Sequence, residues 1–156
     1  MKSIVMILSL LLFACSFTYA RAASVVRDKK NESSTGAADA SVSPGSLDFG
    51  DQAVGSSSRA QRITVTNTGG DKLYVNSANL GGDDWQQFRV ALDSCTGSTI
   101  LPQKSCVIDI VFAPGKKGGQ KTVLTLIDNA PDTPQKVDVT GNGINSADVP
   151  PASQDL

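Results

Sequence analysis

Short runs of alternating apolar and polar residues fill the middle of the chain, and no window there keeps a helical period. In residues 62–66, Ile63 and Val65 share one face, and residues 106–112 alternate in the same way. Residues 121–127 are apolar on both faces, which predicts a central strand covered on both sides. Clusters of turn-forming residues interrupt the runs about every 8–12 residues. The pattern predicts a single all-β domain of about seven strands, folded as an immunoglobulin-like antiparallel β-sandwich.

Two stretches on either side of this domain lack any periodicity. Residues 23–40 are polar, with charged and small side chains, and residues 146–156 are rich in Pro, Ser and Asp. Such segments cannot bury enough apolar surface to fold. We predict a flexible tether over residues 23–40, a folded domain over residues 41–145 and a disordered tail over residues 146–156.

The first 22 residues have the pattern of a signal peptide. Lys2 precedes an apolar run from Ile4 to Phe13, which is too short to span a bilayer because a spanning helix needs about 20 apolar residues. Small residues follow, and a cleavage site lies after Ala22. A second interpretation is a lipoprotein signal that ends before Cys15, whose lipid would then be the one link to a membrane, although Phe13 is unusual in that pattern. Both interpretations predict an exported protein, which is periplasmic, secreted or anchored at the outer surface.

The composition excludes several kinds of chemistry. The chain has 156 residues with 14 Lys+Arg, 15 Asp+Glu and no His, which gives a formal net charge of −1. Without histidine there is no Ser-His or Cys-His nucleophile, no histidine base and no histidine-ligated metal. A charge this small provides no field that would attract a nucleic acid. We predict a protein that is not an enzyme and has no cofactor, no metal and no nucleic-acid partner.

Two cysteines remain if Cys15 is removed or lipidated. Cys95 and Cys106 are separated by ten residues, which is not the spacing of a redox motif, and two thiols without histidine cannot complete a zinc site. In an oxidising compartment such a pair forms a disulfide. We predict a structural Cys95–Cys106 bridge, which would stabilise the fold by about 3 kcal/mol.

Three residues in the loop-rich middle are candidates for binding. Trp85 is the single tryptophan; if exposed, it could stack on a sugar or anchor a protein contact, and otherwise it covers one end of the sandwich. Asp83 and Asp84 form the acidic pair of this region, and together with backbone carbonyls they could bind Ca²⁺ at the surface. No EF-hand pattern accompanies them, so a solvated loop is the favoured interpretation.

Several segments resemble, in the right order, the ASH family (abnormal spindle and Hydin), whose immunoglobulin-like domains are related to major sperm protein and to PapD-like chaperones. The resemblance covers about residues 41–143, with Gln103 at a position where the bacterial pattern usually has glycine. The matching segments are Val42-Ser43-Pro44-Gly45-Ser46-Leu47-Asp48-Phe49-Gly50, Val65-Thr66-Asn67-Thr68-Gly69, Leu101-Pro102 with Ser105-Cys106-Val107-Ile108, Phe112-Ala113-Pro114, and Thr140-Gly141-Asn142-Gly143.

The resemblance implies an immunoglobulin-like module without a shared active site. Together with the signal sequence, it predicts an exported interaction or structural module of the bacterial cell envelope, of the choice-of-anchor type, that binds another protein or an envelope polymer. The alternative is a carbohydrate- or small-ligand-binding protein that uses the Trp85 loop. An Asp-dependent hydrolase would need a buried, proton-bearing carboxylate, and nothing in the pattern buries one.

Overall fold

The computed structural model of the protein describes residues 36–148, which contain nine strands and two three-residue 3₁₀ turns. The predicted signal peptide, Cys15, most of the tether and the end of the tail lie outside the described residues. No helix in this described part is long or apolar enough to cross a membrane. The strands are β1 (Ala40–Ser43), β2 (Ser46–Ala53), β3 (Gln61–Asn67), β4 (Leu73–Gly81), β5 (Phe88–Asp93), β6 (Thr99–Ile100), β7 (Ser105–Phe112), β8 (Gly118–Asp128) and β9 (Gln135–Ile144).

The strands form two sheets that pack face to face. One sheet has the order β1-β3-β7-β5 and the other has the order β2-β9-β8-β4-β6. The prediction of an all-β immunoglobulin-like sandwich is therefore confirmed. Adjacent strands are antiparallel with one exception, because β2 runs parallel to β9.

The described residues contain more strands than the seven or so predicted, partly because the opening segment is divided between the two sheets. Val42 in β1 pairs with Val65 in the first sheet, whereas Leu47 in β2 pairs with Val139 in the second. Pro44 lies between the two strands, and it has no N–H to donate to either ladder. The two-residue strand β6 is the other addition.

The inward positions of the alternating strands form one continuous apolar core. Phe49, Phe88 and Phe112 pack together within it, and the ring centroids of Phe88 and Phe112 are 4.8 Å apart. β8 is a central strand as predicted, but it is covered on one side only, because Ile127 on its outer face is 40% exposed. A two-layer sandwich leaves the outer face of each sheet to solvent.

The Cys95–Cys106 disulfide is present, with the two Cα atoms 5.2 Å apart. Both cysteines are buried, so the bridge attaches the segment after β5 to the core side of β7. Asp109 lies on the opposite face of β7, where Arg62 donates to it over 2.7 Å. These hydrogen bonds from Arg62 hold the pKa of Asp109 below its usual value.

The turn before β7 has a backbone conformation that favours glycine. Gln103 has a φ of 63°, in the left-handed region that side chains with a Cβ disfavour. Its N–H donates to the carbonyl oxygen of Asn67 over 2.9 Å. The buried amide of Asn67 in turn donates to the carbonyl oxygens of Asp71 and Ile100. This network ties the connection between β3 and β4 to the connection between β6 and β7.

Candidate functional site

The connection between β4 and β5 carries all three candidate binding residues. It runs over residues 82–87 and ends in a 3₁₀ turn, Trp85–Gln87. We call residues 82–87 the Trp85 turn. The carboxylate of Asp84 lies 2.7 Å from the Nζ of Lys116 and also accepts a hydrogen bond from the backbone N–H of Lys121. The hydrogen bond from Lys116, and to a smaller extent the one from Lys121, lowers the pKa of Asp84.

Gln87 fixes the other end of the Trp85 turn. Its backbone oxygen accepts a 2.8 Å hydrogen bond from Ala113, and its side-chain oxygen accepts one from the N–H of Gly115. Its own N–H donates to the carbonyl oxygen of Asp84. The turn is thus held at both ends by the segment that joins β7 and β8, and Asp84 is engaged within the protein instead of being a freely solvated carboxylate.

Trp85 is held at the surface by this turn, with 49% of its area exposed. Three residues later Phe88 is buried in the aromatic cluster of the core. The chain therefore passes from solvent to core within one short turn. An exposed tryptophan on a fixed backbone can contact a partner at a small cost in conformational entropy.

A groove of about 330 Å³ lies beside Trp85, between β4 of one sheet and β5 of the other. We call it the β4–β5 groove. Its surface is mainly apolar, with one amide and one guanidinium group at its edge. The lining residues are Ala78, Asn79, Leu80, Trp85, Phe88, Arg89 and Val90.

Asp83 lies at a different surface. It is exposed and borders a shallow depression of about 420 Å³ on the outer face of the five-stranded sheet, with Lys121, Val123 and Asp138. The structure therefore does not bring the three candidate residues into one site. Trp85 faces the β4–β5 groove, Asp83 borders the outer depression, and Asp84 stabilises the turn between them.

Asp84 and Asp93 serve as hydrogen-bond acceptors within the fold. Burial alone would raise the pKa of Asp93, but hydrogen bonds from Thr96 and from the N–H of Cys95 outweigh it, so that this pKa is lowered. Within residues 36–148 no three His, Cys, Asp or Glu side chains are placed so that they could hold a metal ion.

The sequence did not point to the remaining lining residues of the β4–β5 groove. Ala78, Leu80 and Val90 have the alternating pattern of ordinary core positions, and Arg89 that of an ordinary surface position. Their partial exposure arises because β4 and β5 belong to different sheets and do not pair with each other. Strand order is a property of the tertiary fold, and the hydrophobic pattern of a single strand does not contain it.

This arrangement of two sheets, with the opening segment divided between them, is that of an immunoglobulin-like β-sandwich. The family model described as "Abnormal spindle-like microcephaly-assoc'd, ASPM-SPD-2-Hydin" matches residues 35–135. The chain belongs to this family, the ASH family, as its sequence motifs predict. No curated protein sequence matches the chain closely enough to count as a relative.

Solved structures share the fold at low sequence identity. A protein of unknown function from Porphyromonas gingivalis W83 is 19% identical with a TM-score of 0.55; the match covers 67% of this chain and 46% of that one. The ASH/PapD-like domain 7 of human CEP192 is 13% identical with a TM-score of 0.52, covering 70% and 88%. The periplasmic chaperone SfaE is 10% identical with a TM-score of 0.50, covering 67% and 58%. The chain thus spans about half the length of the Porphyromonas protein, and at these identities the likeness is one of fold.

Proposed function

We propose that this protein is an exported, non-enzymatic module of the bacterial cell envelope that binds another protein. The observation that carries the proposal is Trp85, which is half exposed on a fixed turn at the edge of an apolar groove. Exposed aromatic side chains next to apolar grooves are typical centres of protein interfaces. The family supports a binding role, since the ASH and PapD-like fold is related to interaction and chaperone domains.

Export is part of the proposal. Its support is the predicted signal over residues 1–22, the Cys95–Cys106 disulfide, which is typical of an oxidising compartment, and the fold shared with a periplasmic chaperone. The intact mass of the native protein, measured separately in membrane and soluble fractions, tests it. A lipid-modified chain that starts at Cys15 identifies a lipoprotein, and an unmodified chain that starts near Ala23 identifies a periplasmic or released protein. A native chain that retains Met1 contradicts export.

A photo-crosslinking side chain at position 79 tests the binding role in the native host. Asn79 lines the β4–β5 groove, and Lys136 on the exposed face of β9 offers a matched position away from it. We expect a covalent adduct with a second envelope protein from position 79, no adduct from position 136, and loss of the adduct when Trp85→Ala is added. An absence of adducts from both positions contradicts the proposal.

A second candidate function is binding of a carbohydrate or envelope polymer. It is favoured by the position of Trp85 beside the amide of Asn79 and the guanidinium of Arg89, because sugar sites combine a stacking ring with polar donors. Isothermal titration calorimetry of the wild type and of Trp85→Ala with soluble peptidoglycan fragments tests this candidate. Saturable binding that Trp85→Ala abolishes, with unchanged melting temperature, would replace the protein-binding proposal with this one.

A further inference from the structure

The β4–β5 groove is bordered by strand edges that have no strand partner within the described part of the chain. β6 pairs only with Leu73 and Tyr74, so the remainder of β4 has one open edge. Val75 is the last residue of β4 covered on this side, where it exchanges hydrogen bonds with Gly97 and Ser98. β5 is the outermost strand of its sheet and pairs with β7 alone. An open edge presents backbone donors and acceptors that an added strand can use.

The direction of the free backbone groups on β5 follows from its pairing with β7. Ala113 donates its N–H to the carbonyl oxygen of Gln87, which makes these two residues a hydrogen-bonded pair. In an antiparallel ladder such pairs alternate, so the next one joins Arg89 to Val111. The N–H and C=O groups of Val90 therefore point away from β7, toward the groove. They are the donor and acceptor that an incoming strand would pair with.

The side chains of the groove provide alternating apolar contacts along the same line. Ala78 and Leu80 from β4 and Val90 from β5 are all partly buried against the core, and they leave a gap between the two sheets. Trp85 stands at one end of this gap. Since alternate residues of a strand point the same way, a chain lying along β5 would place every second side chain in the gap.

The charge of the groove indicates the composition of the occupant. Arg89 is exposed on β5, forms no salt bridge with another of the described residues, and is the one charged residue that lines the groove. The same side chain disfavours pairing of β5 with a second copy of this chain in the register centred on Arg89, because that register brings two Arg89 residues together.

We infer that the β4–β5 groove binds an extended segment of a partner protein as an added strand along β5, with alternate apolar side chains between Leu80 and Val90 and an acidic side chain beside Arg89. This inference rests on the proposed protein-binding function and specifies its site and the chemistry of its ligand. A sugar or an electroneutral polymer would use the stacking ring of Trp85 but not the backbone groups of Val90, and the experiment below separates these cases.

The experiment selects random decapeptides displayed on phage against the full chain and then studies synthetic copies of the enriched peptides. We expect alternating apolar residues with at least one Asp or Glu, and slower hydrogen exchange of the Val90 amide on binding. Trp85→Ala should weaken binding at least about 30-fold if it is the central contact. Arg89→Glu should weaken binding of acidic peptides about three- to fivefold, and Lys in place of the peptide's acidic residue should restore it.

Lys136→Glu is the control, since it makes the same change of charge on the outer face of β9 and should leave the affinity unchanged. Peptides that bind both Trp85→Ala and Arg89→Glu normally, protection confined to β1 or β2, or no enrichment at all would overturn the inference. A crosslinked partner protein that binds at another face would contradict the groove as the binding site. It would still support the proposed protein-binding function. If no peptide is enriched and neither position gives a crosslink, both the groove site and the proposed protein-binding function are contradicted.

Discussion

Asp84 lies 2.7 Å from the ammonium group of Lys116 and directly precedes Trp85 in the chain. Because the same carboxylate also accepts the N–H of Lys121, it joins the Trp85 turn to the first residues of β8. The exposure of Trp85 is therefore built into the fold and does not come from a loose loop.

Asp84→Asn should loosen the Trp85 turn. The hydrogen bonds from Lys116 and Lys121 lower the folded-state pKa of Asp84 below its ordinary value of 3.8, so its stabilising contact is complete above that value and is lost as the pH falls through the folded-state pKa. Trp85 is the sole tryptophan, so acrylamide quenching of fluorescence reports on it alone. We expect quenching in the wild type to be constant from pH 7 to about pH 4 and to rise below.

The variant should show the higher quenching from pH 7 to about pH 4, and the two profiles should converge once Asp84 is protonated in the wild type. Asp83→Asn is the matched control, because Asp83 is exposed and its carboxylate forms no hydrogen bond or salt bridge with another of the described residues. Its quenching profile should follow that of the wild type. Equal profiles for the wild type and Asp84→Asn would contradict the role assigned to the ion pair.

Removal of the disulfide should destabilise the domain. The bridge joins residues 11 positions apart, and opening a loop of this size costs about 3 kcal/mol through the added entropy of the unfolded chain. We expect this loss in the Cys95→Ala/Cys106→Ala double variant, measured by urea unfolding. The wild type under reducing conditions should lose a similar amount. If Cys95→Ser leaves the melting temperature of the oxidised protein unchanged, the bridge does not stabilise the fold.

Gly141 should not tolerate a side chain. A Cβ atom at this position would lie 2.6 Å from the ring of Phe112, which packs in the aromatic cluster. Gly141→Ala should therefore lower the free energy of unfolding by about 1–3 kcal/mol, because a well-packed core resists added volume. Gly119→Ala is the control on neighbouring β8, where a Cβ meets open space and a change within about 0.5 kcal/mol is expected. Equal effects at the two positions would exclude this packing explanation.

Gln103→Gly should stabilise the protein. The left-handed backbone at Gln103 costs a residue with a Cβ about 1–2 kcal/mol, whereas glycine loses about 0.5–1 kcal/mol more chain entropy on folding. The expected net gain is up to about 1.5 kcal/mol in urea unfolding. Lys104→Gly at the next residue, where φ is not positive, should instead destabilise the protein by about 0.5–1 kcal/mol. A loss of stability in both variants would refute the argument.

Much of the fold could be predicted from the chain, because alternation is a local signal. Ile63 and Val65 are buried on one face of β3, as their spacing predicts, and Cys106 faces the core and meets Cys95. The partial exposure of β8 could not be read in the same way. Ile127, on the outer face of β8, is apolar but exposed. A strand that is apolar on both faces has the same local sequence pattern whether it is covered on one face by a second sheet or on both faces by helices.

The candidate site was predictable only in part. Trp85 stood out because it is the single tryptophan. Its neighbours in the groove could not be predicted, because they depend on the order of the strands in the two sheets. Leu80 and Val90 border the same gap only because β6 ends after two residues and leaves the edge of β4 open. Asp84 could not be assigned to the turn from the sequence, because its partner Lys116 is 32 residues away (116 − 84) and belongs to another connection.

The parallel pairing of β2 with β9 has a mechanical consequence. Ser46 pairs near the start of β9 and Ala53 pairs with Ile144 at its end, so the polypeptide enters this pair at one end and leaves it at the other. A force that pulls the two ends of the domain apart would load the hydrogen bonds between β2 and β9 together, in shear, instead of opening them one after another. A module held at one terminus and strained at the other would therefore resist extension most strongly at this pair of strands.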